Sequence, residues 1–244
     1  MLVLLVLAAG VAGFVDAVAG GGGLLQLPLL LRFLSPASAP AVNKVSSVCG
    51  TATALARYAA SGHVRWRVVA VAGPIAFVGS LLGSRGYLEA LKVVASAVKP
   101  AFAACFLLLA AWQVWLAWKG PPSGAPPRNR PRVGLAFVGA IGVYDGVVGP
   151  GTGMFLFWAF TTWFGLTPLD ATGTTKAINA LTNLGALVAF VAAGTVIWPL
   201  GLSMAAANVL GGYVGAHTAI RRGAGFIRLL AAAVSVAASV YLLS

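Results

Sequence analysis

Long apolar segments succeed one another along nearly the whole chain, and few charged residues interrupt them. The approximate ranges of these segments are 2–18, 24–34, 40–60, 66–86, 90–118, 133–148, 153–164, 170–192, 197–218 and 225–243. Only 8% of the 244 residues are charged, whereas a soluble domain has about a quarter of its residues charged. The outer surface must therefore face lipid, and the length allows about eight spans of roughly 20 residues. The sequence predicts an all-α, multi-pass integral membrane protein.

The net charge of +12 comes from basic residues that lie in short groups between the apolar segments. The positive-inside rule produces such groups, which orient a membrane protein in the bilayer. The sequence has no basic patch interleaved with aromatic residues, so we expect the partners to be lipid and a small molecule rather than nucleic acid.

Motifs typical of ATP-driven pumps and membrane hydrolases are missing from the sequence. It has no Gly-x-x-x-x-Gly-Lys-Ser/Thr loop, no Gly-x-Ser-x-Gly and no His-Glu-x-x-His. Cys49 and Cys105 lie inside apolar segments, while His63 falls in a predicted loop and His217 near a helix end. We therefore expect no enzymatic activity, no catalytic residue, no cofactor and no metal site.

A proline-rich, basic stretch over residues 119–132 divides the chain into a first half, residues 1–118, and a second half, residues 133–244. The two halves are copies of one another. At a shift of 132 residues, rare residue types coincide: Pro36 with Pro168, Lys44 with Lys176, and Trp66 with Trp198. Nearer the start of each half the shift is 129, and Asp16 coincides with Asp145. The sequence predicts two homologous transmembrane repeats joined by a linker.

Each half opens with an apolar segment that glycines interrupt, over residues 19–24 in the first half and 148–153 in the second. Glycine and proline destabilise a helix, and backbone that leaves a helix at membrane depth must be buried or line a cavity. The breaks could be simple kinks or places of close helix packing. Broken segments in matching positions of two repeats also indicate a transport site, which is the interpretation we favour.

The broken segments could cross the membrane or turn back as re-entrant hairpins, and the distribution of charge favours hairpins. With hairpins, each half has three further transmembrane helices and the two halves are inverted repeats. One side then collects the basic residues Arg65, Arg67, Lys119, Arg128, Arg130, Arg132, Arg221, Arg222 and Arg228. With crossing segments, the basic residues divide almost evenly between the two sides, against the positive-inside rule. The hairpin arrangement predicts a cytoplasmic 119–132 linker.

Four ionisable residues lie within apolar segments and are functional candidates for that reason, namely Asp16, Lys44, Asp145 and Lys176. The lysines could instead snorkel to the headgroups. Against this, polar residues share a helical face with each lysine: Ser47 and Thr51 with Lys44, and Asn179 and Asn183 with Lys176. Such a face indicates a wet path, although hydrogen bonds between helices would use the same residues.

Lysines close to broken helices predict an anion site, because freed N–H groups and helix N-termini carry partial positive charge. The donors expected from the breaks are the backbone groups of Gly21, Gly22, Gly23, Gly151, Thr152 and Gly153. The aspartates could either neutralise the lysines or carry protons that couple transport. Gly79-xxx-Gly83 and Gly211-xxx-Gly215 predict close helix packing.

These residues resemble the sulfite exporter TauE/SafE family, also called the toluene sulfonate uptake permeases. The resemblance lies in Gly13-Phe-Val-Asp16, Ala19-Gly-Gly-Gly-Gly23, Ala-Val-Asn43-Lys44 and Ala171-Thr-Gly-Thr-Thr-Lys176. It covers nearly the whole chain. The second break departs from the first, with Pro150 and Thr152 in place of glycines, so the two sites need not be equivalent.

The resemblance implies transport of sulfite, sulfoacetate or related organosulfonates across a bacterial inner membrane. We expect a secondary transporter that works by alternating access, as a monomer or a homodimer. Lys44 and Lys176 would attract the anion, with Asn43, Ser47 and Asn179 nearby, and Asp16 and Asp145 are the candidates for coupling. The alternatives are an anion channel of the same fold, a carrier of a different small anion such as a carboxylate, and a membrane enzyme or assembly factor.

Overall fold

The computed structural model describes residues 1–119 and 130–243, and helices account for almost all of them. The predicted 119–132 linker therefore lies largely outside the described residues. In chain order the helices are α1 (Leu2–Ala19), α2 (Gly22–Phe33), α3 (Ser38–Ala60), α4 (Trp66–Lys119), α5 (Pro131–Val147), α6 (Thr152–Trp163), α7 (Pro168–Ala192) and α8 (Trp198–Leu243). The prediction of an all-helical chain is confirmed for this part of the protein.

The two predicted breaks are where α1 passes into α2 and where α5 passes into α6. Gly20 ends α1 with φ of 77°, and Gly149 and Gly151 lie between α5 and α6 with φ of 89° and 84°. Residues with a side chain rarely adopt these positive φ values, whereas glycine does so without steric cost. The glycines thus end each helix where the apolar pattern alone would have continued it.

Both long helices are bent. In α4, Val94 has non-helical angles, and the rings of Tyr87 and Phe102 nevertheless lie 5.8 Å apart. Fifteen residues of straight helix would separate them by about 22 Å, so the chain folds back around Val94. In α8 the bend is at Gly223, whose φ is 72°. Each half therefore contains, after its broken segment, one helix and one bent helix with two limbs.

The broken segments fold back on themselves. At the second one, the Arg130 N–H donates to the Trp163 carbonyl oxygen at 3.2 Å, so the start of α5 adjoins the end of α6. At the first one, Gly22 lies so close to Ala12 that a Cβ atom would collide with the Ala12 carbonyl oxygen. Hence α2 begins beside α1 rather than beyond its end.

The first helix of each half packs against the other half of the chain, an arrangement that we call the exchange of α1 and α5. Helix α1 packs along α8, and the equivalent helix of the second half, α5, packs along α4. Glycines allow both approaches: Gly211 and Gly215 lie against the α1 backbone, and Gly79 and Gly83 against the α5 backbone. The predicted close packing at these glycine pairs is confirmed, and its positions obey the sequence repeat.

Three helical segments in the described part are long and apolar enough to cross a membrane, Leu2–Ala19, Trp66–Ala95 and Pro168–Ala192. Buried apolar side chains form two clusters. One contains Leu5 with Leu30, from the first hairpin, and the other contains Val138 with Phe160, from the second. Large apolar side chains also cover the outer surface, as expected for a protein surrounded by lipid.

Candidate functional site

The two helix breaks meet. A Cβ atom on Gly20 would come within 2.6 Å of the Gly153 carbonyl carbon, and one on Gly23 within 3.2 Å of the Pro150 Cα. Only glycine permits the Gly20–Gly153 contact, because backbone lies against backbone there. The end of α1 and the starts of α2 and α6 therefore converge on one place, although they belong to different halves of the chain.

Lys44, on α3, is buried at this place and pairs with an aspartate of the other half. Its Nζ donates to Asp145 Oδ2 at 2.7 Å and to Asn183 Oδ1 at 2.9 Å. The Lys44 and Asp145 side chains are 4% and 2% exposed. The Thr152 hydroxyl lies 2.7 Å from Asp145 Oδ1 and 2.5 Å from the Gly149 carbonyl oxygen, so its single proton serves one of these two acceptors.

Lys176, on α7, makes the equivalent pair with Asp16 of α1. Its Nζ lies 3.1 Å from Asp16 Oδ2 and also donates to the Asp16 backbone carbonyl. The Lys176 side chain is fully buried, whereas that of Asp16 is 20% exposed. Snorkelling of either lysine is excluded by this burial, and charge neutralisation by the aspartates is the arrangement that the structure displays.

Both ion pairs join one half of the chain to the other, in keeping with the exchange of α1 and α5. Two lysines and two aspartates give this cluster a formal charge of zero. Isolated charges are costly to bury, and each pair offsets much of that cost through a short, charge-assisted hydrogen bond. The four residues that the sequence repeat singled out thus form one neutral cluster between the halves.

A small cavity of about 20 Å³ lies inside this cluster, enough for about one water molecule. Its lining comprises Asp16, Gly20, Gly23, Asn43, Lys44, Ser47, Asp145, Gly149, Gly151, Thr152, Gly153, Asn179 and Asn183. Ten predicted site residues are among them. Three others, Lys176, Gly21 and Gly22, do not line it, and Lys176 reaches it only through its contact with Asp16.

Several buried polar groups near the cavity have unused hydrogen-bonding capacity. Within the described residues, Asn43 Oδ1 and Thr175 Oγ1 are buried and have no hydrogen-bond partner. These two residues are equivalent in the sequence repeat, and each directly precedes a lysine of the cluster. Buried polar groups without partners are rare in native structures and call for an explanation.

The polar face predicted on α7 continues the cluster along the helix. The Asn183 amide, which accepts from Lys44 through Oδ1, donates through Nδ2 to Asn179 Oδ1 at 3.4 Å. A hydrogen-bonded series thus runs from Lys44 to Asn179.

The sequence analysis did not identify two sets of polar contacts that lie outside the repeat pattern. One is a hydrogen bond of 3.2 Å from Asn208 on α8 to Gln26 on α2. The other is Asp170, which contacts Arg65 at 2.5 Å and His63 at 3.2 Å. The rarity of acidic residues was a signal for Asp170, because the chain has only four. Gln26 is a single polar residue within an apolar segment, and this was the sequence feature that could have indicated its hydrogen bond with Asn208.

Apolar helices, paired helix breaks and a buried charged cluster between two repeats define a polytopic membrane transporter. The chain belongs to the sulfite exporter TauE/SafE family, whose model matches residues 5–242. It is 35% identical over 250 residues to the probable membrane transporter protein ORF9 of Sinorhizobium sp, covering 100% of this chain and 93% of that protein.

Two further relatives carry similar names. The probable membrane transporter protein YfcA of Escherichia coli K12 is 33% identical over 257 residues, with 100% of this chain and 90% of that protein covered. A probable membrane transporter protein of Haemophilus influenzae is 30% identical over 224 residues, with 89% and 85% covered. No solved structure matches the chain. The relatives are named as transporters, in agreement with the expectation that the chain is not an enzyme.

Proposed function

We propose that this protein is a secondary transporter of small sulfur-containing oxyanions, such as sulfite, sulfoacetate or other organosulfonates, in a bacterial inner membrane. The observation that carries the proposal is the cluster of Lys44 and Lys176 where the two helix breaks meet. Buried cations beside unwound backbone suit an oxyanion, because both supply hydrogen-bond donors and positive charge. The name of the family points to the same substrate class.

The two halves act as inverted repeats in this proposal, each with a hairpin that enters the membrane partway. Contacts at Asp170 support it. If both breaks crossed the membrane, the loop after α3 and the start of α7 would lie on opposite faces of the bilayer. Instead Arg65 and His63, from that loop, both contact Asp170 in the first turn of α7. The face that carries Arg65 is then the cytoplasmic one.

Binding requires the anion to compete with the aspartates for the lysines. The cluster has no net charge, so a bare anion would add an uncompensated negative charge to a buried site. A proton on Asp16 or Asp145 would release its lysine, and a monovalent anion arriving with one proton leaves the total charge unchanged. This is the role that we assign to the aspartates in coupling.

Further donors surround the place that the anion would occupy. The side chains of Asn43, Ser47 and Asn179 line the cavity. Gly23 and Gly153 line it as well, and their backbone N–H groups have no backbone acceptor among the described residues, whereas the Thr152 N–H donates to the Gly149 carbonyl oxygen. The Asn43 amide has an unused acceptor as well, which suits a protonated oxyanion or its water. Because Gly23, Gly151 and Gly153 line the cavity, backbone rather than side chains borders this part of it.

The cavity of about 20 Å³ holds about one water molecule and is too small for an oxyanion. Substrate entry therefore requires the hairpins to separate. In an inverted repeat the α1–α2 and α5–α6 hairpins enter from opposite faces, so movement of one or the other would open the cluster to one side at a time. That is alternating access.

Flux measurements in proteoliposomes test the function. Sulfite, sulfoacetate and a small carboxylate should be compared, with the Lys44→Ala/Lys176→Ala double variant as the control for specific transport. We expect saturable counterflow of the sulfur oxyanions that the double variant lacks. A large ohmic current would identify an anion channel, and preference for the carboxylate would identify a different substrate class.

Cysteine accessibility tests the layout. Single cysteines at Arg65, in the 119–132 linker and at Arg221 should all react with a membrane-impermeant reagent from the cytoplasmic side. Reaction of the cysteine at position 221 from the opposite side would exclude the inverted arrangement.

A further inference from the structure

Arg57, in the last turn of α3, holds its positive charge outside the transport cluster. One of its terminal nitrogens, NH2, lies 2.9 Å from His217 Nδ1 on α8, and its guanidinium lies 5.1 Å from the centre of the Tyr213 ring. Its Nε is buried and has no hydrogen-bond partner among the described residues. Arginine is always protonated, so His217 Nδ1 must accept and His217 must carry its proton on Nε2.

No carboxylate side chain of the protein is available to neutralise Arg57. The chain has four acidic residues. Each of them pairs elsewhere: Asp16 with Lys176, Glu89 with Lys92, Asp145 with Lys44 and Asp170 with Arg65. The acidic side chains of the protein therefore supply no counter-ion to this partly buried guanidinium.

The surface around Arg57 is apolar and faces outward. On α8, Tyr213 is 47% exposed and Leu210, nearly one turn earlier, is 70% exposed. Arg221 is exposed and lies four residues after His217, so it shares a face of α8 with His217. Cations near a helix end beside exposed apolar side chains are typical of a protein surface at the membrane interface.

We propose that Arg57, His217 and Arg221 bind the phosphate of an anionic phospholipid at the outer surface where α3 and α8 meet. The terminal nitrogens of the Arg57 guanidinium, the His217 Nε2–H and the Arg221 guanidinium supply donors to the phosphate oxygens. The Tyr213 ring holds the Arg57 guanidinium in place, and the acyl chains lie along Leu210 and Val214. The same donors could bind free phosphate, but the apolar surface beside them favours a lipid.

Native mass spectrometry of the delipidated, full-length protein tests this proposal. Phosphatidylglycerol, phosphatidylcholine and inorganic phosphate serve as separate probes. We expect phosphatidylglycerol to bind more tightly than phosphatidylcholine, and Arg57→Gln to weaken its binding by about tenfold or more, as loss of a charge-assisted hydrogen bond implies. Arg67→Gln, which removes an exposed arginine in the first turn of α4, should leave binding unchanged.

A second variant keeps the test decisive if Arg57→Gln fails to fold. Arg221→Gln changes an exposed side chain and should lower the affinity for phosphatidylglycerol several-fold. Unchanged binding in the folded arginine variants, or an equal loss in Arg67→Gln, would overturn the proposal. Binding of inorganic phosphate as tightly as of phosphatidylglycerol would overturn the assignment to a lipid. None of these outcomes depends on the transport substrate.

Discussion

The two ion pairs occupy equivalent positions in the two halves, yet they are held differently. Lys44 and Asp145 lie 2.7 Å apart, and the pair has two further polar neighbours, Asn183 and Thr152. Lys176 and Asp16 lie 3.1 Å apart, and among the described residues the Asp16 carboxylate has Lys176 as its hydrogen-bond donor and no hydroxyl. The Asp145 side chain is buried, while a fifth of the Asp16 side chain is exposed.

The sequence explains the difference. At the repeat shift of 129, Thr152 corresponds to Gly23, which has no hydroxyl to offer Asp16. At the shift of 132, Asn183 corresponds to Thr51, whose shorter side chain replaces the amide that accepts from Lys44. The Lys44–Asp145 pair is therefore held by more polar neighbours than the Lys176–Asp16 pair, which should be easier to release. Asp16 is accordingly the better candidate for the proton carrier.

The largest difference between the pairs should appear when each lysine is removed. Lys44→Ala leaves Asp145 as a buried, unpaired charge, which should cost about 3–5 kcal/mol of stability. Lys176→Ala leaves Asp16, which is partly exposed to solvent, so we expect a smaller loss of stability together with loss of anion binding. Thermal unfolding in detergent and equilibrium binding of sulfite measure the two effects.

Double variants provide the control. Lys44→Met/Asp145→Leu removes both charges and should recover much of the stability that Lys44→Ala loses, because no charge remains buried alone. Equal destabilisation by the two single lysine variants would show that the pairs are equivalent, contrary to the structure.

The aspartates should differ in their effect on coupling. Asp16→Asn should leave substrate exchange intact but abolish accumulation against a gradient, since exchange needs only the loaded carrier to reorient. Asp145→Asn should instead lower stability and raise the affinity for the anion, because Lys44 loses its ionic partner within a buried network and no carboxylate competes with the anion for it. Exchange and pH-driven accumulation, measured in the same proteoliposomes, separate these outcomes.

The two asparagine variants serve as controls for each other, since each makes the same chemical change at an equivalent position. Accumulation that is driven equally well by both variants would remove the proton-carrier role from both aspartates. Loss of accumulation in Asp145→Asn alone would transfer that role to the tightly held pair.

The hydroxyl of Thr152 should account for a smaller part of the asymmetry. Thr152→Ala removes a donor shared between Asp145 and Gly149, so we expect a loss of about 1 kcal/mol of stability. Thr161→Ala is the matched control on the same helix, because its hydroxyl contacts only the backbone of α6 at Phe157 and Trp158. Chemical denaturation of both variants should show a larger loss for Thr152→Ala, and equal losses would make the bond to Asp145 unimportant.

The sequence predicted the helical chain, the breaks and the four charged residues because each leaves a local signal. Glycines that need positive φ, such as Gly20 and Gly149, interrupt an apolar run visibly, and a lysine in such a run stands out. The sequence indicated less accurately where the long helices bend. Apolar segments 66–86 and 90–118 indicated a boundary near Arg85 and Glu89, whereas the bend lies at Val94, within the second segment.

The sequence could not show which lysine pairs with which aspartate. The repeat identifies Lys44 with Lys176 and Asp16 with Asp145, and this equivalence holds whether each pair lies within one half or joins the two. The exchange of α1 and α5 decides the matter, and it depends on glycine contacts such as Gly10 with Gly211 that are distant in the chain. The contact of Arg65 with Asp170 was invisible for the same reason, since neither residue has a charged equivalent in the other half.

The smallest expected effect concerns the loops beside the two equivalent helix starts. Ser35 and Thr167 are equivalent in the repeat, and the hydroxyl of each accepts from a backbone N–H three residues later; Thr167 is the N-cap of α7, whereas Ser35 lies two residues before Ala37, the N-cap of α3. That later residue is Ser38 in the first half and Asp170 in the second, and only Asp170 contacts an arginine and a histidine of the neighbouring loop. An ion pair thus ties the start of α7 to the neighbouring loop, and the described residues show no such pair at the start of α3.

Asp170→Ser makes the two helix starts alike. Arg65 is about half exposed, so the loss of stability should stay below about 1 kcal/mol. The conformational equilibrium should nevertheless move toward opening on the Arg65 face, because opening there no longer separates an ion pair. In a Ser47→Cys background, labelling by an impermeant thiol reagent from that face should become a few-fold faster. Ser38→Ala at the equivalent position should leave the rate unchanged, and an unchanged rate in Asp170→Ser would mean that this ion pair does not hold the face closed.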